Sequence, residues 1–122
     1  MNLYGHNNNW LMVDCGVTFR APLDRLDDQN PSAKLFDMVA PDPVFIENRQ
    51  ESLAGIVITH AHEDHVGAVP ALWKRFKCPI YTTKFTAEVL RRKLYMTDIA
   101  ELVQIIVVDP GTTIDIGPFT VS

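Results

Sequence analysis

The stretch Ala54-Gly55-Ile56-Val57-Ile58-Thr59-His60-Ala61-His62-Glu63-Asp64-His65 decides how this chain is read. Its first six residues form a nearly continuous apolar run of strand length. Such a run suits a strand covered on both faces, as in a parallel sheet. The next six residues hold three of the chain's four histidines. In extended backbone, residues two apart point the same way, so His60 and His62 can address one metal ion. Asp64 and His65 follow where the chain turns into a helix, and can address a second ion beside the first. Imidazole and carboxylate suit zinc, manganese or iron. A lone histidine here would be read as polar surface. Three histidines and an aspartate at ligand spacing, directly after a buried strand, favour a metal site. Two metals ~3.5–4 Å apart can share a hydroxide and clamp a phosphoryl or carbonyl centre. Thr59 can orient a ligand through its hydroxyl, and Gly67 permits a tight turn after His65.

Outward from this segment, the elements alternate. Residues 3–4 and 10–15 read as strands joined by the turn formers His6-Asn7-Asn8-Asn9. Residues 16–43 hold four prolines and five aspartates and read as a long loop, with a turn of helix near 33–39. Residues 44–52 suit a short helix with Pro43 in its first turn. Residues 66–76 read as one helix carrying Val66, Val69, Leu72, Trp73 and Phe76 on its apolar face. Residues 79–82 read as a strand. Residues 85–96 read as a helix with Phe85, Val89, Leu90 and Leu94 along its stripe. Strands at 104–108, 112–116 and 119–121 complete an α+β order: a mixed sheet with helices on one face.

Composition sets outer bounds. The 122 residues allow one small domain. Apolar residues make up 47% and charged residues 21%, ordinary globular usage that excludes a disordered chain. No apolar run is long enough to span a bilayer, so no membrane association is expected. The amino terminus carries no secretory signal pattern. Two cysteines, Cys15 and Cys78, make no disulfide framework, and both read as small buried hydrophobes of a cytoplasmic protein. The net charge of -4 implies no general polyanion surface. Between residues 74 and 93, however, seven basic side chains face only Glu88. Of these, Lys74, Arg75, Lys77, Arg91, Arg92 and Lys93 are candidate RNA-backbone contacts. The simpler reading is that they solvate two amphipathic helices.

The His60-x-His62-x-Asp64-His65 constellation resembles the metal motif of the metallo-β-lactamase superfamily of hydrolases. Leu11-Met12-Val13-Asp14-Cys15-Gly16 is similar to that family's strand ending in Asp-x-Gly. Within the superfamily, the flanks most resemble the ribonuclease J family. The likeness runs through Asn7 to Phe19, Leu53 to Pro70, Cys78 to Tyr81 and Phe85 to Leu94. The resemblance implies an αββα sandwich with a two-metal site at one edge. It implies two divalent ions, zinc ahead of manganese, with His60 and His62 on the first and Asp64 and His65 on the second. Asp64 would also act catalytically, holding or deprotonating the attacking water, with Asp14 and Thr59 supporting the ligands from behind. A strand-end aspartate bonded to the following loop is the plainer reading of Asp14.

The family's remaining ligands, a further histidine, a bridging aspartate and a last histidine, have no counterpart here, since no histidine follows His65. Residues 1–122 are therefore expected to be the amino-terminal half of such a domain, without the β-CASP insertion or the carboxy-terminal half. The expected function is that of a segment of an RNA-cleaving hydrolase, inactive alone. The rivals are a hydrolase of thioesters, lactones or small phosphodiesters, and a non-catalytic half-domain. Half a sandwich leaves a sheet face uncovered, so self-association or a complementary chain is expected.

Overall fold

The computed structural model describes residues 1–20, 37–39 and 42–122. The chain opens with a hairpin of β1 (Asn2–His6) and β2 (Asn9–Val13), paired antiparallel with Gly5 opposite Trp10. Asn7 and Asn8 turn it with φ of 47° and 61°, the left-handed pair that a two-residue hairpin loop requires and asparagine tolerates. The Trp10 ring lies across Gly5, where a Cβ would come within 2.8 Å of it. The ring also meets Phe45 edge-on at 5.0 Å.

β2 then pairs in parallel with β5 (Leu53–Val57). β5 pairs in parallel with β6 (Ile80–Thr82), and β6 with β7 (Ile105–Val107). The sheet order is β1-β2-β5-β6-β7, so the apolar run of the metal segment is the central strand, as its composition requires. Before it come α1 (Val44–Glu47) and a 3-10 turn, Gln50–Ser52. The expected helix over 44–52 is thus broken in two.

Parallel neighbours need a crossover, and helices supply it here. α2 (Glu63–Val66) and α3 (Val69–Phe76) lead from β5 to β6, and α4 (Lys84–Leu94) leads from β6 toward β7. One core gathers Met12, Ile56, Ile58 and Ile80 of the sheet with Ile46, Val69, Phe76, Leu90 and Leu94 of the helices. A separate hairpin, β8 (Ile114–Ile116) and β9 (Phe119–Val121), pairs antiparallel through a turn at Gly117, φ +56°. Ile116 reaches Gly55 and is fully buried there. The α+β class and mixed sheet agree with the sequence reading.

Three further local expectations change. Residues 66–76 form two helices, because the Ala68 amide leaves the helical ladder to bond the Cys15 carbonyl at 2.9 Å and Pro70 opens a fresh first turn. Residues 37–39 are a strand, β4 (Asp37–Val39), paired antiparallel with β3 (Thr18–Arg20). Cross-strand pairing satisfies there the backbone groups that a helical turn would satisfy internally. The rest of that expected helix, 33–36, lies outside the described residues. Phe85 points outward, 73% exposed, because the buried stripe of α4 is Thr86, Ala87, Leu90 and Leu94. Among the described residues, no helix is long and apolar enough to cross a membrane.

Two substitutions separate core from surface. Phe76 is buried beneath α3, so Phe76→Ala is expected to cost about 3–5 kcal/mol in denaturant unfolding. Phe85→Ala should stay within about 0.5 kcal/mol. Burial pushes the Cys15 and Cys78 thiols up to about 12. Neither should react with iodoacetamide near neutral pH until the chain is unfolded, as counted by mass spectrometry.

Candidate metal centre

The carboxyl ends of parallel strands are where an open α/β sheet presents its chemistry. Here the ends of β2 and β5 lie side by side, and each runs directly into residues singled out from the sequence. Asp14 follows β2 with φ of 61°, a left-handed turn that aspartate tolerates better than most residues. Its amide donates to the Val57 carbonyl at 2.8 Å, extending the ladder by one rung. Its carboxylate then turns across to the loop after β5. Oδ1 accepts from the Thr59 amide at 2.8 Å and the Thr59 hydroxyl at 2.9 Å. Oδ2 accepts from His65 Nδ1 at 2.8 Å. The Thr59 hydroxyl also lies 2.9 Å from His60 Nδ1.

Backbone bonds seal the same junction. The Cys15 amide donates to the His65 carbonyl at 2.7 Å, and the amides of His65 and Val66 return to His62 to start α2. Gly16 passes so close to α2 that a Cβ would fall 1.9 Å from the Asp64 carbonyl carbon and oxygen. The aspartate of Asp-x-Gly thus holds the loop by its carboxylate, while the glycine lets the loop lie against the strand.

The three imidazoles and the Asp64 carboxylate crowd this edge. The rings of His60 and His65 are 4.7 Å apart by centroid, and those of His60 and His62 are 6.2 Å apart. Asp64 Oδ2 lies 3.3 Å from His65 Nε2. A neutral His65, with Nδ1–H given to Asp14, offers its Nε2 lone pair toward that oxygen. Two electron-rich atoms facing one another suit a shared cation, by donor type and by spacing. Among the described residues, no three such donors converge into a closed cage. The donor set therefore fits divalent metal, while the cage stays open.

The basic residues fall elsewhere. α3 and α4 each return from the carboxyl edge of the sheet to its amino edge. Their last turns carry Lys74 and Arg75, and Arg91, Arg92 and Lys93, at the end of the sheet away from the histidines. Lys77 ends α3 in a left-handed conformation, φ 49°. Cations in the last turn complement the helix dipole. Lys74 also pairs with Asp98, holding that carboxyl below its usual range, Arg75 pairs with Glu47, and Arg91 with Glu88. A cavity of about 290 Å³ beside the loop after β5 is lined by Thr59, Tyr81, Thr83, Asp109 and Thr112 among others. The sequence did not single it out, because its walls come from the ends of β5, β6 and β7 and from the β8–β9 hairpin.

A strand-end Asp-x-Gly folded against a His-x-His-x-Asp-His loop on a mixed sheet has its counterpart in known proteins. Residues 1–120 match the metallo-beta-lactamase superfamily, and the chain belongs to it. Membership implies divalent metal ions. The chain is 38% identical over its full length to ribonuclease J of Sinorhizobium meliloti, spanning 21% of that protein. It is 38% identical over 76% of its length to ribonuclease J of Mycolicibacterium smegmatis, covering 15% of that protein. Ribonuclease J of Corynebacterium glutamicum is 33% identical over 99% of the chain, which covers 16% of it. The chain therefore spans about a fifth or less of these relatives.

The close approach at Gly16 generates a direct test. Gly16→Ala should cost more than about 3 kcal/mol by overpacking backbone against backbone. Gly111→Ala, at φ +82° with open space around it, should cost only about 1–2 kcal/mol. Equal losses in urea unfolding would remove the close-packing argument.

Proposed function

We propose that this chain supplies the metal-binding, amino-terminal half of the metallo-beta-lactamase domain of a hydrolase that cleaves RNA phosphodiesters. The observation that carries the reading is the Asp14 carboxylate gripping both Thr59 and His65, which turns the metal-binding face of the loop outward at the sheet's carboxyl edge. The matched relatives, all named ribonuclease J, support RNA as the substrate. In this reading His60 and His62 hold one divalent ion, and Asp64 and His65 hold a second. Zinc ranks first by donor type and manganese second. When bound, the ions supply Lewis acidity at a phosphoryl centre. Asp64, 69% exposed beside His65, holds the attacking water and takes its proton. The basic ends of α3 and α4 would meet RNA only at the far edge of the sheet, as a track for its backbone. The two reduced, buried cysteines accord with a cytoplasmic setting.

Because the described donors close no cage, the chain alone is expected to hold zinc weakly and to leave RNA intact. A second reading, a half-domain that associates with itself or a complementary chain, draws on the groove of about 530 Å³ between the β1–β2 strands and β9. A strict monomer in sizing chromatography that binds no hydrophobic dye would count against it.

The main reading is tested by exchange. These residues replace the matching segment of the Sinorhizobium meliloti ribonuclease J, and the chimera is assayed on 5′-labelled RNA, a thioester and a lactone. RNA cleavage is expected, falling at least about 100-fold in His65→Ala while the fold persists. A folded chimera that hydrolyses the thioester or lactone and spares RNA would overturn the assignment.

A further inference from the structure

The segment after α4 is pinned from below and bare above. The Leu94 carbonyl accepts from both the Thr97 amide, at 2.8 Å, and the Thr97 hydroxyl, at 2.7 Å. Ile99 and Val103 then anchor in the core. Above these anchors Tyr95 and Met96 stand out, 77% and 88% exposed. Single exposed apolar side chains are ordinary, but adjacent ones beside a charge cluster mark a contact surface. Tyr95 keeps helical backbone, φ −50° and ψ −40°, and residues three and four apart on a helix are neighbours. Arg91 and Arg92 therefore lie one turn from its ring. Arg91 pairs with Glu88, which leaves the exposed Arg92 without an acidic partner among the described residues. Of the carboxylates that follow, Asp98 is matched by Lys74, which draws the last turn of α3 against this segment, and Glu101 lies beyond the buried Ile99. Among the described residues, no aromatic ring or cation stacks on Tyr95. Phe85, at the other end of α4, is nearly as exposed, but its neighbour one turn on is Glu88.

We infer that Tyr95, Arg91 and Arg92 form a docking site for single-stranded RNA at the amino edge of the sheet, where the ring stacks on an unpaired base and the guanidiniums take the flanking phosphates. The inference rests on RNA as the substrate of the proposed hydrolase. Charge selects the occupant: two guanidiniums one turn from a bare aromatic face match a polyanion whose bases stack. Every base has a π face, so the site tolerates any sequence, whereas a paired base offers no free face to it. The bonds from Thr97 to the Leu94 carbonyl fix the exit of α4, so the ring is held in place before RNA arrives. The five residues of β5, at about 3.3 Å each, separate this edge from the histidines. The site thus grips the strand away from the reacting phosphate and takes no part in the chemistry there.

The test is fluorescence anisotropy of a labelled oligouridine titrated with the 122-residue chain in EDTA, so that binding is read without metal or cleavage. Tyr95→Ala should weaken binding about 5- to 100-fold, and Tyr95→Phe should preserve it. Arg92→Gln should weaken it and flatten its salt dependence. Phe85→Ala should leave it unchanged. The same strand annealed to oligoadenosine should bind about 10-fold more weakly. Unchanged affinity in Tyr95→Ala would overturn the site, as would equal losses in Tyr95→Ala and Phe85→Ala. A wild-type chain that binds no RNA, but forms a dimer that Tyr95→Ala abolishes in sizing chromatography, would overturn it in favour of a second copy. Binding by the chain alone, together with a chimera that spares RNA, would leave the docking site standing and defeat the hydrolase reading. A chimera that cleaves RNA, together with a chain that binds none, would do the reverse.

Discussion

The Asp14 carboxylate is the interaction on which the rest of this structure depends. It follows β2, and its partners Thr59 and His65 follow β5, so it joins the ends of two parallel strands at the point where the sheet opens to solvent. Its left-handed backbone is tolerable only because that turn delivers the side chain to three donors at once. Without those bonds the loop after β5 would keep only its backbone contacts to Cys15 and Gly16, and its histidine side chains would lose their tie to the strand end. Fold and site are thus coupled through one side chain.

Much of this was legible in the sequence, and the reasons differ by element. β5 announced itself because a central parallel strand is apolar on both faces, a purely local signal. The His-x-His-x-Asp-His spacing was equally local, and the family likeness followed from it. The junction was not legible, because Asp14 lies 45 residues from Thr59 and 51 from His65. Gly16 was visible as part of a motif, but its contact with the Asp64 backbone was not.

The misreadings have the same origin. Residues 37–39 pair with 18–20, and such pairing leaves no periodic trace in either segment. In α4 the buried face runs through Thr86 and Ala87, which are weak hydrophobic signals, so Phe85 drew the stripe a step out of phase. The break after Val66 came from a backbone bond to Cys15, which side-chain pattern cannot encode. The basic run was found correctly as a run, but its direction depended on topology. Once β5, β6 and β7 are parallel, the intervening helices must run back, and their last turns fall far from the histidines.

The parallel pairing of β2 with β5 also bears on how the molecule assembles. Asp14 is made before its partners, which lie 45 and 51 residues further along the chain. Until they arrive, β1 and β2 form only an isolated hairpin, which is marginal in water. The contact that orders the metal loop is therefore also among the late, long-range closures that slow the folding of such sheets. Competence to bind metal and completion of the fold should arrive together, so that a half-made chain offers its histidines to solvent without a shape to hold an ion.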